Sequence, residues 1–411
     1  MSESTIMQQE LGKIGAILAG YAGDECGLSH EPSIYRRQRG RRDGHWASGQ
    51  SSRQRRADQV KVVVDTAVLR RPHAGTARWV DGLLDALDRI PTMQLERAYG
   101  PRRIGNGVLF RPINVALQQC WYGFGIRRFA ERRGADALLM PAGYSASPSR
   151  VPQIVAILDV NFLTQPGTYR PLFTRYMTWV FKRSVRNADL LVTISDFSRS
   201  EISRHLGVET ERIAVVYPGL EAPMAGDFPR PLEGQYALFV GATETHKNLG
   251  LLLDAWSDSS PAGLTLVIVG QPGQYHSTLK ERASALGGRV IVRGRATNEE
   301  LEAWYRGASV FLFPSRTEGF GFPPLEAMQR SVPVISSSGG SLPEVLGDAA
   351  LYHDPDDATA VRELVERLMG DADLRQRQID LGLTRAARYR WDVAAEQMAQ
   401  LLASMAAGSD G

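Results

Sequence analysis

The chain contains two series of short, apolar, β-branched runs, most of them separated by segments with helical periodicity. The first series is VKVVVD (60–65), DALLM (136–140), QIVAIL (153–158), LLVTIS (190–195) and IAVVY (213–217). The second series is YALFVGA (236–242), TLVIVG (265–270), RVIVRG (289–294), VFLFPS (310–315) and VPVISS (332–337). Such runs are typical of strands buried on both faces, and their alternation with helices indicates parallel sheets. The sequence therefore predicts an α/β protein with two doubly wound units.

Changes in composition divide the chain into predicted domains. An N-terminal Rossmann-like domain is expected over residues 60–217. Residues 218–235 are rich in Pro, Gly and acidic residues, which predicts an interdomain linker. A C-terminal Rossmann-like domain is expected over 236–385, followed by a C-terminal helix and tail over 386–411. Helical patterning after residue 354 predicts two helical segments there, which could pack on either domain.

Positive charge is concentrated in the first part of the chain. Residues 33–56 hold eight arginines against one acid, Asp43, while the formal charge of the whole chain is only +3. The remainder is therefore slightly acidic, and no nucleic-acid partner is expected. Residues 1–59 show no regular periodicity, so we predict a disordered, Arg-rich leader. An overlong gene start, a membrane-surface anchor and a linker remain alternative interpretations of it.

Cysteine content and hydropathy set further limits. Cys26 and Cys120 are the only cysteines, so neither a disulfide framework nor a zinc site is predicted. Apolar residues make up 43% and charged residues 23%, and no apolar run approaches the roughly eighteen residues of a membrane span. We expect a cytoplasmic protein.

The loops that follow the strands should carry the function, because doubly wound sheets bind ligands beyond the carboxyl ends of their strands. The most informative loop lies within SRTEGFGFPPLEAMQRSVPVISSSGGSLPEV, residues 315–345. Glu318 stands in the loop and Glu326 one turn into the next helix, so both carboxylates can face a cleft and accept bonds from hydroxyl groups. Gly319 and Gly321 allow a ligand to approach the backbone closely.

This segment resembles the family 4, or group 1, retaining glycosyltransferases, particularly the mannosyltransferases. The resemblance rests on the glutamate pair around Gly-Phe-Gly and Pro-Leu, the Pro-Val-Ile strand and the Ser-Leu-Pro-Glu-Val segment, and it extends over about residues 60–390. It implies the GT-B fold, in which an acceptor-side domain and a nucleotide-sugar-binding domain face a central cleft. It also implies that Glu318 contacts the donor sugar and Glu326 the ribose, with the backbone of Gly319, Phe320, Gly321 and Phe322 facing the sugar and pyrophosphate.

A second match is FVGATETHKNLGLLLDAW, residues 239–256. The strand ends at Gly241, and Lys247 precedes an amphipathic helix, where a cation can neutralise a leaving diphosphate. The resemblance implies that Lys247 is the phosphate lysine and that Gly241 and His246 belong to the donor site. A lysine snorkelling at a helix start is the alternative. Family members often carry an arginine where this chain has Ala242 or His246, so one usual cationic contact is missing.

Matches in the first half are weaker. RRPHAGTARWVDGLL resembles the family's glycine loop, which implies that Gly75 and Thr76 lie near the α-phosphate, with Arg78 on the following helix; a plain tight turn is the alternative. ILDVNFLTQPGTY resembles the family's His-Asp-Leu stretch, but Leu158 stands at the histidine position and only Asp159 remains as a catalytic candidate. Donor positioning or acceptor activation must therefore differ, or activity is weakened.

Further segments carry weaker signals. Ser195 either meets the cleft or caps a helix. The resemblance implies that the loop at Arg295 lies where the base is held. The Asp-x-Asp strings at 354–356 and 371–373 are interpreted as solvated turns, so no metal is expected. RYMTWVFKRSVR mixes aromatic and basic residues, which suits packing in the first domain or contact with a membrane.

The expected function is metal-independent, retaining transfer of a hexose from a GDP- or UDP-sugar to a glycan or lipid-linked acceptor. Mannose is the candidate sugar, no cofactor is expected, and contact with the inner face of the membrane is an expectation for the lipid-linked case. A catalytically weak nucleotide-sugar-binding partner protein and a sugar-nucleotide epimerase are the alternatives. A phosphorylase would need a pyridoxal-phosphate lysine and a longer chain.

Overall fold

The computed structural model describes residues 59–70, 75–102, 104–105, 110–148, 150–165 and 169–408. They form two six-stranded sheets, and every described strand pair is parallel. The predicted α/β class with two doubly wound units is therefore confirmed. The predicted leader lies outside the described residues, apart from Gln59.

Before the linker, the part of the first unit that the structure describes contains six strands and six α-helices. Its strands are β1 (Val60–Asp65), β2 (Met93–Ala98), β3 (Ala137–Met140), β4 (Gln153–Ala156), β5 (Leu190–Thr193) and β6 (Ile213–Val215). Its helices are α1 (Gly75–Leu87), α2 (Arg111–Cys120), α3 (Ile126–Arg133), α4 (Asn161–Thr164), α5 (Pro171–Asn187) and α6 (Asp196–Leu206). A π-helical turn, Trp121–Gly125, joins α2 directly to α3.

The second unit repeats the pattern, and three more helices follow it. Its strands are β7 (Tyr236–Val240), β8 (Thr265–Val269), β9 (Val290–Arg293), β10 (Val310–Phe313), β11 (Val334–Ser337) and β12 (Ala350–His353). Its helices are α7 (Leu249–Ala255), α8 (His276–Ala285), α9 (Asn298–Gly307), α10 (Phe322–Gln329) and α11 (Leu342–Leu346), followed by α12 (Ala358–Gly370), α13 (Ala372–Ala386) and α14 (Trp391–Gly408).

The strand order places one crevice in each sheet. The first sheet runs β2-β1-β3-β4-β5-β6 and the second runs β12-β11-β10-β7-β8-β9. The order of strands reverses between β1 and β3 and between β7 and β10. Ligands of doubly wound sheets bind at such switch points, beyond the carboxyl ends of the strands. The loops that follow these four strands are therefore the first place to look for a site.

The sequence did not predict two of the strands, β2 and β12. Both are edge strands, and their central residues are only partly covered. MQLERA therefore mixes polar with apolar residues and lacks the continuous apolar character of a central strand. The ten predicted strands are the ones that the structure contains in the sheet interiors and at the two remaining edges.

The C-terminal segment forms three helices where the sequence predicted two, and the last returns to the first unit. α14 packs against α1, β1 and β3. Its first residue, Trp391, lies so close to the linker that a Cβ on Gly219 would stand 2.1 Å from the Trp391 backbone nitrogen. Gly219 and α14 thus join the end of the chain to the first unit. The boundaries predicted at 217 and 236 stay a prediction; residues 216–235 contain no helix or strand.

Candidate active site

The loops after β7 and β10 are tied together at the switch point of the second sheet. Asn248 follows a short 3-10 turn and adopts a left-handed backbone conformation with φ of +56°. Its side-chain amide donates to the carbonyl oxygens of Pro314 (3.2 Å) and Pro355 (2.7 Å). The backbone nitrogen of Arg316 donates to the carbonyl oxygen of His246 at 2.9 Å. Sequence reasoning gave Asn248 no role, although asparagine is enriched in this backbone conformation.

Lys247 and Glu318 meet where these two loops join. Lys247 Nζ lies 2.5 Å from Glu318 Oε1, and the two side chains are only 16% and 12% exposed. The ammonium group also lies 5.3 Å from the ring centroid of Phe313, at the end of β10. The structure therefore brings the predicted phosphate lysine and the predicted sugar-binding glutamate into direct contact. Lys247 is not a lysine snorkelling at a helix start.

Two adjacent glycines give the Glu318 loop room. A Cβ on Gly339 would stand 2.3 Å from the carbonyl oxygen of Arg316. A Cβ on Gly340 would stand 2.5 Å from the nitrogen and 2.6 Å from the carbonyl oxygen of Glu318. The backbone nitrogen of Ser341 donates to that same carbonyl at 3.0 Å. The turn after β11 thus fixes the backbone of the carboxylate that pairs with Lys247.

Glu326 forms a second buried carboxylate centre on α10. It is 7% exposed, pairs with Arg78 of α1 through Oε1, and accepts a hydrogen bond from Tyr305 Oη at 2.8 Å through Oε2. Burial alone raises the pKa of the Glu326 carboxyl, but the Arg78 charge and the bonds from Tyr305 and Arg78 outweigh it and lower this pKa. Glu326 is therefore held ionised. The sequence singled out Arg78 and Glu326 but not their contact or Tyr305.

A network behind α10 fixes the helix that carries Glu326. Buried Glu302 lies 2.6 Å from Arg330 Nη2 and 2.7 Å from Arg306 Nε. Arg330 Nη1 in turn donates to the carbonyl oxygen of Glu326 at 2.9 Å. Because these charges are paired and hydrogen-bonded in the protein interior, they hold α9 and α10 in one relative position. Sequence reasoning did not identify this network.

The first unit contacts the Glu318 loop through Asp159, Ser195 and Ser198. Ser195 Oγ donates to the carbonyl oxygen of Gly319 at 2.8 Å and also accepts from the backbone nitrogen of Ser198 at 3.0 Å. Ser195 therefore both meets the cleft and caps α6. A Cβ on Gly319 would stand 3.2 Å from the Asp159 Cβ, which places Asp159 against this loop. Burial, aided by the negative charge of Glu318, raises the pKa of the Asp159 carboxyl.

Glu344 provides another contact between the units that the sequence did not predict. Its carboxylate accepts hydrogen bonds from the backbone nitrogens of Asp196 (2.7 Å) and Phe197 (2.8 Å), the first two residues of α6. Tyr217 Oη also donates to it at 2.7 Å. A carboxylate is favourable at a helix N-terminus, so Glu344 of the second unit caps a helix of the first. Its place in the Ser-Leu-Pro-Glu-Val segment was the available sequence signal.

The structure also shows where the other predicted site residues of the loops and helix starts lie. Gly75 and Thr76 are the first two residues of α1, so the helix begins within the segment that the sequence assigned to a glycine loop. Their position near the α-phosphate of the donor stays a prediction. Arg295 is exposed after β9, an edge strand two positions from β7. Burial, together with the Lys247 charge, lowers the pKa of His246, so this residue is neutral at pH 7 and supplies no second cation.

The glycine loop contributes an aromatic side chain, Phe320, to the core. Phe320 is buried against Phe322 and Tyr389, with ring centroids 5.1 and 5.2 Å away. Gly321 adopts a φ of +102° at the start of α10, and a Cβ there would strike Leu342 at 2.8 Å. A donor can therefore meet Phe320 only through its backbone.

The Asp-x-Asp strings have local structural roles. Asp354 Oδ1 accepts from the backbone nitrogen of Asp356 at 2.8 Å, and Asp356 pairs with Arg316 at 2.6 Å. Asp371 caps α13 through the backbone nitrogen of Leu374 at 2.9 Å. In the parts of the chain that the structure describes, no group of three or more His, Cys, Asp or Glu residues is placed to hold a metal ion.

Comparisons with known proteins identify the family to which this chain belongs. The family model for glycosyl transferases group 1 matches residues 225–383, and the model for glycosyltransferase family 4 matches residues 88–222. O-antigen chain mannosyltransferase B of Escherichia coli is 31% identical over 262 residues, which cover 60% of this chain and 68% of that protein. This chain belongs to the group 1 glycosyltransferases. It is an enzyme of that class, as the sequence predicted.

A further relative and two solved structures are also similar to this chain. The O-antigen chain mannosyltransferase RfbU of Salmonella typhimurium is 29% identical over 53% of this chain and 60% of that protein. A sucrose-phosphate synthase from Thermosynechococcus elongatus superposes with a TM-score of 0.64 at 18% identity, over 85% of this chain and all of that one. The Anabaena protein HepE, in complex with UDP and glucose, gives 0.64 at 16% identity over 84% of this chain and all of that one. The predicted GT-B fold of this glycosyltransferase is thereby confirmed.

Proposed function

We propose that this glycosyltransferase moves a hexose, with mannose as the candidate, from a nucleoside diphosphate sugar to a glycan or lipid-linked acceptor, with retention and without a metal ion. The observation that carries the proposal is the contact between Lys247 and Glu318 at the switch point of the second sheet. A cation beside a carboxylate matches a donor that carries a diphosphate next to sugar hydroxyls. Similarity to O-antigen chain mannosyltransferases of Escherichia coli and Salmonella typhimurium supports the choice of sugar.

The proposed chemistry assigns one task to each group. Lys247 neutralises the negative charge of the leaving diphosphate, a task that would otherwise need a bound metal ion. Glu318 accepts bonds from the donor sugar and Glu326 from the ribose. Asp159 stands against the Glu318 loop, next to Leu158, which replaces the family's histidine, and burial together with the Glu318 charge raises the pKa of the Asp159 carboxyl. The departing phosphate oxygen takes the acceptor proton, and the sugar–phosphate bond breaks as the new glycosidic bond forms on the same face.

A thermal-shift panel tests the donor class. We expect one of GDP, UDP or ADP, or its hexose conjugate, to raise the melting temperature in EDTA, because the proposed site neutralises the diphosphate with Lys247. Glu326→Ala is expected to remove this shift, whereas Glu299→Ala, on an exposed turn of the same unit, is expected to keep it. Absence of a shift with every nucleotide would contradict the proposed donor. Release of nucleoside diphosphate without an acceptor would instead favour an epimerase.

Peripheral contact with an anionic membrane surface is part of the proposal, because it would deliver a lipid-linked acceptor. Among the described residues, no helix is both long and apolar enough to cross a membrane. The first unit nevertheless exposes large apolar side chains, including Phe124 in the π-helical turn (67% exposed) and Trp179 in α5 (47%). Residues 111–133 and 171–187 carry nine cationic side chains and one acid. Aromatic residues flanked by arginines suit an anionic lipid surface.

The position of these helices supports the same proposal. Gln119 Nε2 of α2 donates to Tyr176 Oη of α5 at 2.8 Å, so the two helices are neighbours. Tyr122 Oη, in the π-helical turn, donates at 3.0 Å to Asp65, the last residue of β1. A membrane bound to this face would therefore lie beside the carboxyl edge of the first sheet, where the cleft opens. In contrast, Val180 and Phe181 of α5 are core residues, so packing explains only the inner side of this helix.

Vesicle sedimentation tests the membrane contact. We expect binding to vesicles that contain phosphatidylglycerol, little binding to pure phosphatidylcholine, and weakening with salt. The double variant Phe124→Ser/Trp179→Ser is expected to bind roughly tenfold or more weakly, since it removes two aromatic side chains from the lipid interface. Leu383→Ser/Val393→Ser, which changes two comparably exposed residues elsewhere, is the matched control. Equal binding by both double variants would contradict this assignment of the face.

A further inference from the structure

Arg78 forms an ion pair with Glu326, the carboxylate that the proposed function assigns to the ribose. It lies in the first turn of α1, and its guanidinium crosses from the first unit to Glu326 Oε1. The same guanidinium lies 4.8 Å from the ring centroid of Phe322, one turn before Glu326 on α10. Tyr305 Oη holds the other oxygen at 2.8 Å. Glu326 is only 7% exposed, and Arg78 covers it from the opposite wall of the cleft, so a ribose hydroxyl can reach this carboxylate only if one of these two donors moves away.

Arg78 is the donor that can yield. Tyr305 is 1% exposed, packs against Phe311 with ring centroids 5.8 Å apart, and has Arg330 5.1 Å from its own ring centroid. Its hydroxyl cannot leave without rearranging the core of the second unit. Arg78 has a side chain 36% exposed and belongs to the opposite wall of the cleft, so a rotamer change is enough to move it. A guanidinium that leaves a carboxylate needs another anion as partner, and a diphosphate provides a bidentate one.

We propose that Arg78 is an exchangeable counter-ion, which moves from Glu326 to the diphosphate of the donor when ribose hydroxyls take its place. This inference rests on the proposed function and adds a positioning residue to it. A nucleoside must displace Arg78 without offering it an anion. A nucleoside diphosphate supplies both the hydroxyls for Glu326 and the anion for Arg78, so ribose recognition and charge neutralisation are coupled. The enzyme should therefore discriminate strongly against nucleosides.

Calorimetric titration of Arg78→Met tests the exchange with two ligands of the same base, guanosine and GDP or uridine and UDP. Because Glu326 loses its competitor, we expect the nucleoside to bind about threefold more tightly than to wild type, a modest gain for a partly exposed ion pair. Because the diphosphate loses a charge-assisted partner, we expect the nucleoside diphosphate to bind about tenfold or more weakly. A purely structural role for Arg78 would not move the two affinities in opposite directions.

Two further variants complete the design. In a Glu326→Gln background, the gain in nucleoside affinity on replacing Arg78 should disappear, since the ion pair is already absent. Arg78→Gln offers the same comparison if the methionine variant fails to fold. Equal weakening of both ligands, or no change in either, would overturn the exchange while leaving the transferase proposal intact. Failure of the wild type to bind any nucleoside diphosphate would instead overturn the proposed function.

Discussion

Replacing Lys247 by methionine is expected to lower kcat roughly 100- to 1,000-fold, the effect of removing one preorganised charge or donor from a transition state. The methionine keeps most of the side-chain volume but leaves the developing charge on the diphosphate without its nearest cation. It also leaves Glu318, which is 12% exposed, without its partner, so a stability loss of about 1–3 kcal/mol should accompany the change. Steady-state kinetics and urea denaturation measure the two effects.

A second variant separates catalysis from stability. Lys247→Met/Glu318→Gln removes both charges, so it should recover most of the lost stability and none of the lost activity. Arg282→Met is the matched control, because it removes a cation from a different close ion pair of the same unit, the 2.6 Å contact with the exposed Asp254. We expect that variant to retain activity within about twofold and stability within about 1 kcal/mol. Recovery of activity in the charge-free double variant would contradict the role of Lys247.

Gly340→Ala is expected to destabilise the protein by roughly 3 kcal/mol and to impair transfer. Two costs combine: a left-handed backbone at φ +65° and a Cβ that would stand 2.5 Å from the Glu318 nitrogen. Relief of that contact must shift the Glu318 loop, and a displacement of about 1 Å at a reacting group can cost around 100-fold in rate. Denaturation curves and the transferase assay measure both effects.

Gly134→Ala is the matched control for the glycine prediction. Gly134 ends α3 with φ of +58°, and a Cβ there would have no neighbour within 4 Å. Gly134→Ala should therefore lower the free energy of unfolding only by the backbone contribution, about 1–2 kcal/mol, with no loss of activity per folded molecule. Equal losses at Gly134 and Gly340 would indicate that steric support of the Glu318 loop contributes nothing.

The central strands of both sheets were predictable because burial on both faces leaves a continuous apolar run such as VKVVVD or VFLF. The edge strands were not, because one partly covered face allows polar residues, as in MQLERA. The C-terminal helices were ambiguous for a similar reason. Their amphipathic pattern reveals an apolar face but not the surface that covers it, and the close fit between Trp391 and two glycines, Gly82 and Gly219, is visible only in three dimensions.

The candidate site was predictable where a residue follows a central strand within a few positions. Lys247 and Glu318 follow β7 and β10, and strand order alone makes those loops neighbours. Contacts between the two units could not be predicted, because they depend on how the units face each other. The hydrogen bond between Glu344 and the start of α6 and the ion pair between Arg78 and Glu326 are of this kind. The two residues of each contact are more than a hundred positions apart in the sequence.

The most direct test of retaining, metal-independent transfer is an NMR assay of the wild-type enzyme in EDTA. The enzyme would be given the nucleoside diphosphate hexose selected by the thermal-shift panel and a set of lipid-linked mono- and disaccharides. We predict one nucleoside diphosphate released per sugar transferred, and a product whose anomeric proton coupling matches the configuration of the donor. An inverted anomeric centre would contradict retention, and transfer that appears only when a divalent cation is restored would contradict the assignment of leaving-group stabilisation to Lys247 and its neighbours.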